Sequence, residues 1–288
     1  VSLQVRRPDD MRERIRMLSG ALRGLADRPV KVMEVCGTHT VSIFRQGLRA
    51  LLPPDVELVS GPGCPVCVTS QGEIDAAVSL AGLSGTTVAT YGDMLKVPGS
   101  GTTLEEERSR GADIRVVTSA DQALSMARGD RKRNVVFVAV GFETTAPATA
   151  SVVIDAVRED LDNFMVLNLH KSVPPALEAL ASDPEVKLDA LLLPGHVSVI
   201  TGLGPYRFLP EKYGIACAVA GFDAEDIMLA LVEVTKQVRK QEPLVASLYG
   251  RAVRPLGNTE ARSVMEKVFT MKDASWREIG RASCRERV

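Results

Sequence analysis

Eight short apolar runs, rich in β-branched residues, limit how this chain can fold. They cover residues 30–35, 56–60, 86–90, 114–118, 135–140, 164–169, 190–193 and 215–220. Several are apolar throughout instead of alternating, the mark of strands covered on both faces. Helix-like segments separate them, over 39–51, 70–82, 103–111, 120–129, 146–160, 174–182 and 222–240. Residues 8–27 read as a further amphipathic helix, with Met11, Ile15, Leu18 and Leu22 on one face. Alternating strands and helices imply parallel sheets joined by right-handed crossovers. The expected class is α/β: two domains, each with a roughly four-stranded parallel sheet flanked by helices, facing a central cleft. The polar, basic stretch 128–134 is the expected seam, so the domains are expected over 1–128 and 129–241, with a helical linker region over 242–288. A (β/α)₈ barrel is the rival. It is disfavoured because such barrels use about 250 residues, and this chain spends many of its 288 on its ends.

The balance of charge is close to even, with a formal net charge of −1. No general attraction to nucleic acid or to an anionic membrane surface is expected. Aromatics are 4% of the chain, too few for a stacking platform. The apolar run 135–140 is far shorter than the ~18 residues of a membrane span. The first residues hold early positive charge but no apolar signal core, so export is not indicated. A cytoplasmic, reducing setting is expected.

The unusual residues cluster just after the apolar runs. Cys36 follows the first, Gly61–Cys67 the second and Tyr91-Gly92-Asp93 the third. Gly141-Phe142-Glu143-Thr144-Thr145 follows the fifth, His170-Lys171 the sixth, Pro194-Gly195-His196-Val197-Ser198 the seventh and Gly221-Phe222-Asp223 the eighth. Open parallel sheets bind ligands beyond the carboxyl ends of their strands.

Three of the five cysteines lie in two of these loops. Cys64-Pro65-Val66-Cys67 can close a disulfide, chelate a metal or act as an attacking thiol with a resolving partner. The bland alternative is a pair of small buried side chains. A closed zinc site needs two more ligands at matching spacing, and the chain has no second Cys-x-x-Cys. Cys36 stands alone, with His39 three residues on; the two could chelate, the histidine could activate the thiol, or the cysteine could be inert core. Glu143 and Asp93 could serve as acid/base groups, orient a cysteine or histidine, or merely cap the next helix. His170 and His196 fall at similar strand ends. Cys217 lies inside an apolar run and reads as core. Gly61-x-Gly63 and Gly202-x-Gly204 do not complete a dinucleotide fingerprint.

Four motifs together are specific: Cys36-Gly37-Thr38-His39-Thr40, Gly61-Pro62-Gly63-Cys64-Pro65-Val66-Cys67-Val68-Thr69, Gly141-Phe142-Glu143-Thr144-Thr145-Ala146-Pro147 and Pro194-Gly195-His196-Val197-Ser198. In this order they resemble the hydrogenase maturation (formation) protein HypD family, from about residue 10 to about Gly280. The resemblance implies an assembly factor for [NiFe]-hydrogenases. It would work with HypC, holding an iron ion while cyanide and carbon monoxide are attached. HypE, with HypF upstream, would supply the cyanide, and the hydrogenase large subunit would be served indirectly. Cys36 is then the iron ligand, with His39 assisting. Cys64 and Cys67 form the redox pair, and Glu143 and His196 stand at the cleft edge. The family fold adds a C-terminal domain with a [4Fe–4S] cluster. Here the cysteine-rich segment expected after Trp276-Arg277-Glu278-Ile279-Gly280 is missing, and residues 281–288 read as a non-native-looking tail. Cys284 alone cannot supply four thiolates. Two other readings stay open: a thiol-disulfide oxidoreductase in which Cys64 attacks protein substrates, and a nucleotide-dependent enzyme using the strand-end cleft.

Overall fold

The computed structural model describes residues 8–277 and 280–287, with side chains described over 10–277. Its elements run in chain order α1 (Pro8–Leu25), β1 (Val30–Glu34), α2 (Gly37–Arg45), β2 (Val56–Ser60), α3 (Pro65–Val68), α4 (Gln71–Ala81), β3 (Thr86–Thr90) and α5 (Leu104–Ser109). Then come β4 (Ile114–Val116), α6 (Ala120–Gly129), β5 (Asn134–Ala139), α7 (Ala146–Arg158), β6 (Phe164–Asn168), α8 (Val173–Ser182), β7 (Ala190–Pro194) and α9 (Gly195–Thr201). The rest are α10 (Phe208–Tyr213), β8 (Ala216–Ala220), α11 (Ala224–Lys240), β9 (Val245–Ser247), α12 (Thr259–Val268), β10 (Phe269–Trp276) and β11 (Gly280–Arg287). The α/β class is as expected, with two parallel sheets flanked by helices. All eight expected strands form, within two residues of their expected ends.

The strands do not pair as two consecutive groups of four. One sheet has the order β2-β1-β7-β8-β9, and the other β4-β3-β5-β6. The division at 128–134 is therefore corrected: β5 lies beside β3, in register from Thr86↔Asn134 to Thr90↔Val138. The chain divides into one compact unit of Val1–Gly63 with Leu180–Asn258, and another of Cys64–Ala179 with Thr259–Val288. The physical reason is that apolar periodicity identifies a strand but not its neighbour; a parallel partner lies a whole crossover away.

In the first unit, β7 and β8 are buried at every position. Val32, Leu58, Leu192 and Ala218 from the sheet meet Leu22 of α1, Ile43 of α2, and Ile227, Leu231 and Val234 of α11. Each such Leu, Ile or Val stabilises the unit by about 1.5–3 kcal/mol relative to exposure. In the second unit neighbouring residues of one strand serve opposite faces, as the two-residue period of a strand requires. Ala89 and Phe137 pack with Leu124 and Val152, while Val88 and Val138 pack with Ile74, Met94 and Leu104.

Local signals fix the helix starts. Thr103 accepts the Glu106 N–H at 3.1 Å to open α5. Ser70 and Glu73 form a capping box on α4. Sequence periodicity gave no sign of β9, α9 or α10, which are short. β10 and β11 pair antiparallel, from Phe269↔Arg287 to Trp276↔Gly280, within the region expected as a helical linker and a non-native-looking tail over 281–288. The side chain of Cys284 lies outside the described residues. Among the described residues no helix is long and apolar enough to cross a membrane.

Candidate functional site

The first unit carries Cys36 and His39. Cys36 follows β1 in extended conformation, φ −158° and ψ 121°, and stands at the N-cap of α2 without a side-chain capping bond. It is half-buried and not in a disulfide. The strand ends beside it are joined closely. The Gly61 N–H donates to the Glu34 carbonyl at 2.8 Å, and the Gly37 N–H to the Gly63 carbonyl at 3.1 Å. A Cβ on Gly63 would lie 2.4 Å from the Gly37 nitrogen and 2.6 Å from Cys36 Cα, so only glycine fits there.

His39, on α2, is fully buried, and its Nε2 stands 2.9 Å from the Gly221 carbonyl oxygen. A carbonyl only accepts, so Nε2 carries the hydrogen and Nδ1 keeps its lone pair. Nδ1 is buried without a protein partner. Burial pushes this imidazole below its ordinary value, the Gly221 and Ala220 carbonyls oppose the shift, and nearby His196 reinforces it. The ring stays neutral and able to donate a lone pair.

The wall beside His39 is aromatic. Phe222 lies 5.0 Å from His39, 4.2 Å from the exposed His196 and 6.1 Å from Tyr249, centroid to centroid. Gln46 fixes the Phe222 loop by donating to the Phe222 carbonyl and accepting from the Ala224 N–H. Sequence reasoning placed Phe222 in a strand-end loop but gave it no role, and it missed Tyr249 and Gln46; an aromatic directly after the Gly221 turn was the available signal. Glu34, the last residue of β1, was also missed. Its side chain has no exposed surface, Oε1 accepts the Ser60 hydroxyl at 2.8 Å, and Oε2 is buried without a partner. An unmet group of this kind costs about 1–3 kcal/mol. Burial raises the Glu34 carboxyl above its usual range, against the pull of the Ser60 and Thr40 hydroxyls and the Arg49 guanidinium. Cys217 is sealed in the core, where burial pushes its thiol far up, as its place in an apolar run suggested.

The second unit carries the cysteine pair. Cys64 caps the four-residue α3, and its sulfur accepts the Cys67 N–H at 3.3 Å. The two sulfurs are 2.7 Å apart, not bonded, against about 2.05 Å in a disulfide. Cys64 is half-buried and Cys67 exposed. The far end of α3 is fastened to β10. The Arg277 N–H donates to the Val68 carbonyl at 3.0 Å, and Thr69 bridges to Trp276, which stacks on Phe142 at 5.9 Å. Next along, Glu73 accepts from the Ser70 N–H and hydroxyl and pairs with the buried Lys171.

Glu143 is buried. Its carboxylate accepts the Ser172 hydroxyl at 2.6 Å and the Val173 N–H at 3.0 Å, which caps α8. The helix it serves is α8 and not α7, the next one in the chain, which begins after Thr145. His170 is also buried, with Nδ1 2.6 Å from Asn168 Oδ1 and Nε2 3.2 Å from Thr145 Oγ1. Burial pushes it down to about 3, so it is a neutral internal brace. Asp93 is exposed.

Among the described residues no three His, Cys, Asp or Glu side chains gather as a metal cage. A [4Fe–4S] cluster takes four thiolates. The described cysteines offer three outside the core, Cys36, Cys64 and Cys67, so they do not fit that cluster.

The comparisons with known proteins agree with the motifs. The HypD family model, described as the "Hydrogenase formation hypA family", matches residues 11–284. A chain from Methanocaldococcus jannaschii, named for hydrogenase expression and formation, is 46% identical over 248 residues, 86% of this chain and 69% of that one. The hydrogenase maturation factor HypD of Rhodobacter capsulatus is 40% identical over 267 residues, 92% of this chain and 71% of that one. HypD of Escherichia coli is 39% identical over 269 residues, 93% and 72% of the two chains. A match that runs from residue 11 to residue 284, through all four motifs, means that this chain belongs to the HypD family.

Proposed function

We propose that this chain is a [NiFe]-hydrogenase maturation factor in which Cys36 holds an iron ion while cyanide and carbon monoxide are attached, and in which Cys64 and Cys67 supply electrons. The names of its relatives support the broad role. HypC is the partner on the iron, and HypE, fed by HypF, brings the cyanide. The observation that carries the reading is the seat of Gly63. Its backbone rests against Cys36 with no room for a side chain, and one peptide bond separates it from Cys64.

Iron here is cargo, so an open site suits it better than a cage that would not let go. Cys36 gives up its S–H proton on taking iron, as every thiol ligand must. Thiolate is a strong donor and stabilises low-valent iron that carries acceptor ligands. His39 has its Nδ1 lone pair available as a second donor. His196 is the exposed imidazole on the Phe222 wall. The cysteine pair is a two-electron donor: two S–H bonds break, one S–S bond forms, and the two protons and two electrons pass to the cyanide-bearing group, which is reduced as it releases cyanide to the iron. Glu143 serves by bracing α8.

The test is to purify the chain with HypC under anaerobic conditions, count iron, and record cyanide and carbon monoxide bands by infrared. Cys36→Ala removes both iron and bands on this reading; iron retained at the wild-type level refutes it. The short sulfur contact and exposed Cys67 favour a second reading, a thiol-disulfide oxidoreductase. That reading requires reduction of a protein disulfide such as that of insulin, dependent on Cys64 and indifferent to Cys36.

A further inference from the structure

We propose that Glu34 is a positioning residue for the Cys36 centre: its buried carboxyl ties the end of β2 to the loop carrying Cys36 and so sets where the thiol stands. This rests on the reading of Cys36 as the iron-holding thiol. Along β1 the buried positions are Val30, Val32 and Glu34. Cys36 is itself extended, so the strand alternation continues through it. Glu34 and Cys36 therefore share a face, with Cα atoms roughly 6.6 Å apart.

From that face Glu34 reaches both neighbours of the thiol. Oε1 accepts the hydroxyl of Ser60, the last residue of β2, and the main-chain carbonyl accepts the Gly61 N–H. The Thr40 hydroxyl, on the first turns of α2, faces the same carboxyl and lies 3.4 Å from the Cys36 carbonyl. Arg49 stands 4.0 Å from Oε1. Through its side chain and its main chain, Glu34 thus ties the end of β2, which leads to Gly63, to the end of β1, which leads to Cys36. An apolar residue would fill this space without leaving Oε2 unmet. What it could not do is hold Ser60. Losing a group that orients a metal ligand typically costs about 10–100-fold in metal affinity.

The experiment compares Glu34→Gln, which keeps an acceptor for Ser60, with Glu34→Leu, which removes it. Two quantities are read on the whole chain. One is ferrous affinity by anaerobic titration. The other is the iodoacetamide alkylation rate of Cys36 in metal-free protein, followed by peptide mass spectrometry. The expected result is a loss of about tenfold or more in ferrous affinity for Glu34→Leu, with a shifted Cys36 alkylation rate. Glu34→Gln stays close to wild type in both. The inference is overturned if Glu34→Leu matches wild type in the alkylation rate, or if Glu34→Gln fails as badly as Glu34→Leu while folded by circular dichroism. If Glu34→Leu does not fold, Ser60→Ala removes the same bond from the other side and carries the same expectations. Cys36→Ala in the same titration separates the two ideas. If it binds iron like wild type, the iron reading fails, while alkylation still decides the role of Glu34.

Discussion

Gly63 and Cys36 meet through backbone alone. The Gly63 carbonyl accepts the neighbouring Gly37 N–H at 3.1 Å, and a Cβ on Gly63 would stand 2.6 Å from Cys36 Cα. A contact that close cannot be relieved by turning a side chain, because both sides of it are main chain. The constraint lies in the packing of the two strand ends, and it reaches function because the thiol sits on one of them.

Gly63→Ala should therefore destabilise the protein by about 1–3 kcal/mol, the usual cost of forcing atoms into a filled space. It should also weaken iron capture by displacing Cys36. Gly37→Ala is the control, since its Cβ would meet the Gly63 oxygen at an ordinary 3.5 Å. Urea unfolding of both variants checks this. Equal midpoints for Gly63→Ala and wild type would remove the argument for a closed seam.

The 2.7 Å approach of the Cys64 and Cys67 sulfurs predicts a pair that oxidises as a unit. Mild oxidation of the whole chain should consume two thiols and form the Cys64–Cys67 disulfide, seen by peptide mapping. Cys64→Ser and Cys67→Ser should each abolish it. Cys217 should stay unmodified in every case, because it is buried and its thiol is pushed far up. A disulfide that forms in Cys67→Ser, between Cys64 and another residue, would show that the pair is not the local redox unit.

Much of this was legible in the residues, and the limits have physical causes. The apolar runs located β7 and β8 and the β-branched run Thr86–Thr90 located β3; all three are buried at every position. Nothing local could tell that β1 pairs with β7, because a parallel partner is chosen by the whole core. Cys36, His39, Cys64 and Cys67 could be found from residue type and their place after strands. Glu34 could not, and Lys171 was noted only for its place after a strand, since a charged residue at a strand end reads as solvated until its burial is known. Glu143 was legible as a residue of interest. Its engagement with Ser172 and Val173 depends on a loop 29 residues away.

Lys171 and Glu73 give a prediction about stability that does not depend on any reading of function. The Lys171 side chain is fully buried and Glu73 keeps 22% of its surface exposed, with the two ion-paired. Removing one member of such a pair leaves the other charge unmatched and costs about 3–5 kcal/mol. The partial exposure of Glu73 places Lys171→Met at the lower end of that range. Adding Glu73→Gln should recover part of the loss, because no bare carboxylate is then left behind. A double-mutant cycle by urea unfolding reads the coupling. Strict additivity would mean that the pair does not act as one.

His170 predicts how stability depends on pH. Its imidazole is fully buried, and desolvation lowers it from 6.5 to about 3 in the folded chain. The unfolded chain takes up this proton below about pH 6.5, while the folded chain refuses it until about pH 3. The unfolded state thus binds the extra proton in that window, and acid favours unfolding. The contribution is fully present above pH 6.5 and shrinks as the pH falls, by about 1.4 kcal/mol per pH unit. His39 acts in the same direction, being buried and lowered too. His170→Gln keeps a hydrogen-bonding group between Asn168 and Thr145 but cannot take up the proton. Its urea midpoint should therefore start below that of wild type at pH 7.5 and fall less steeply between pH 6 and pH 4. Parallel acid limbs for the two proteins would show that His170 is protonated equally in the folded and unfolded states. That result would place water beside the ring and contradict its sealed position.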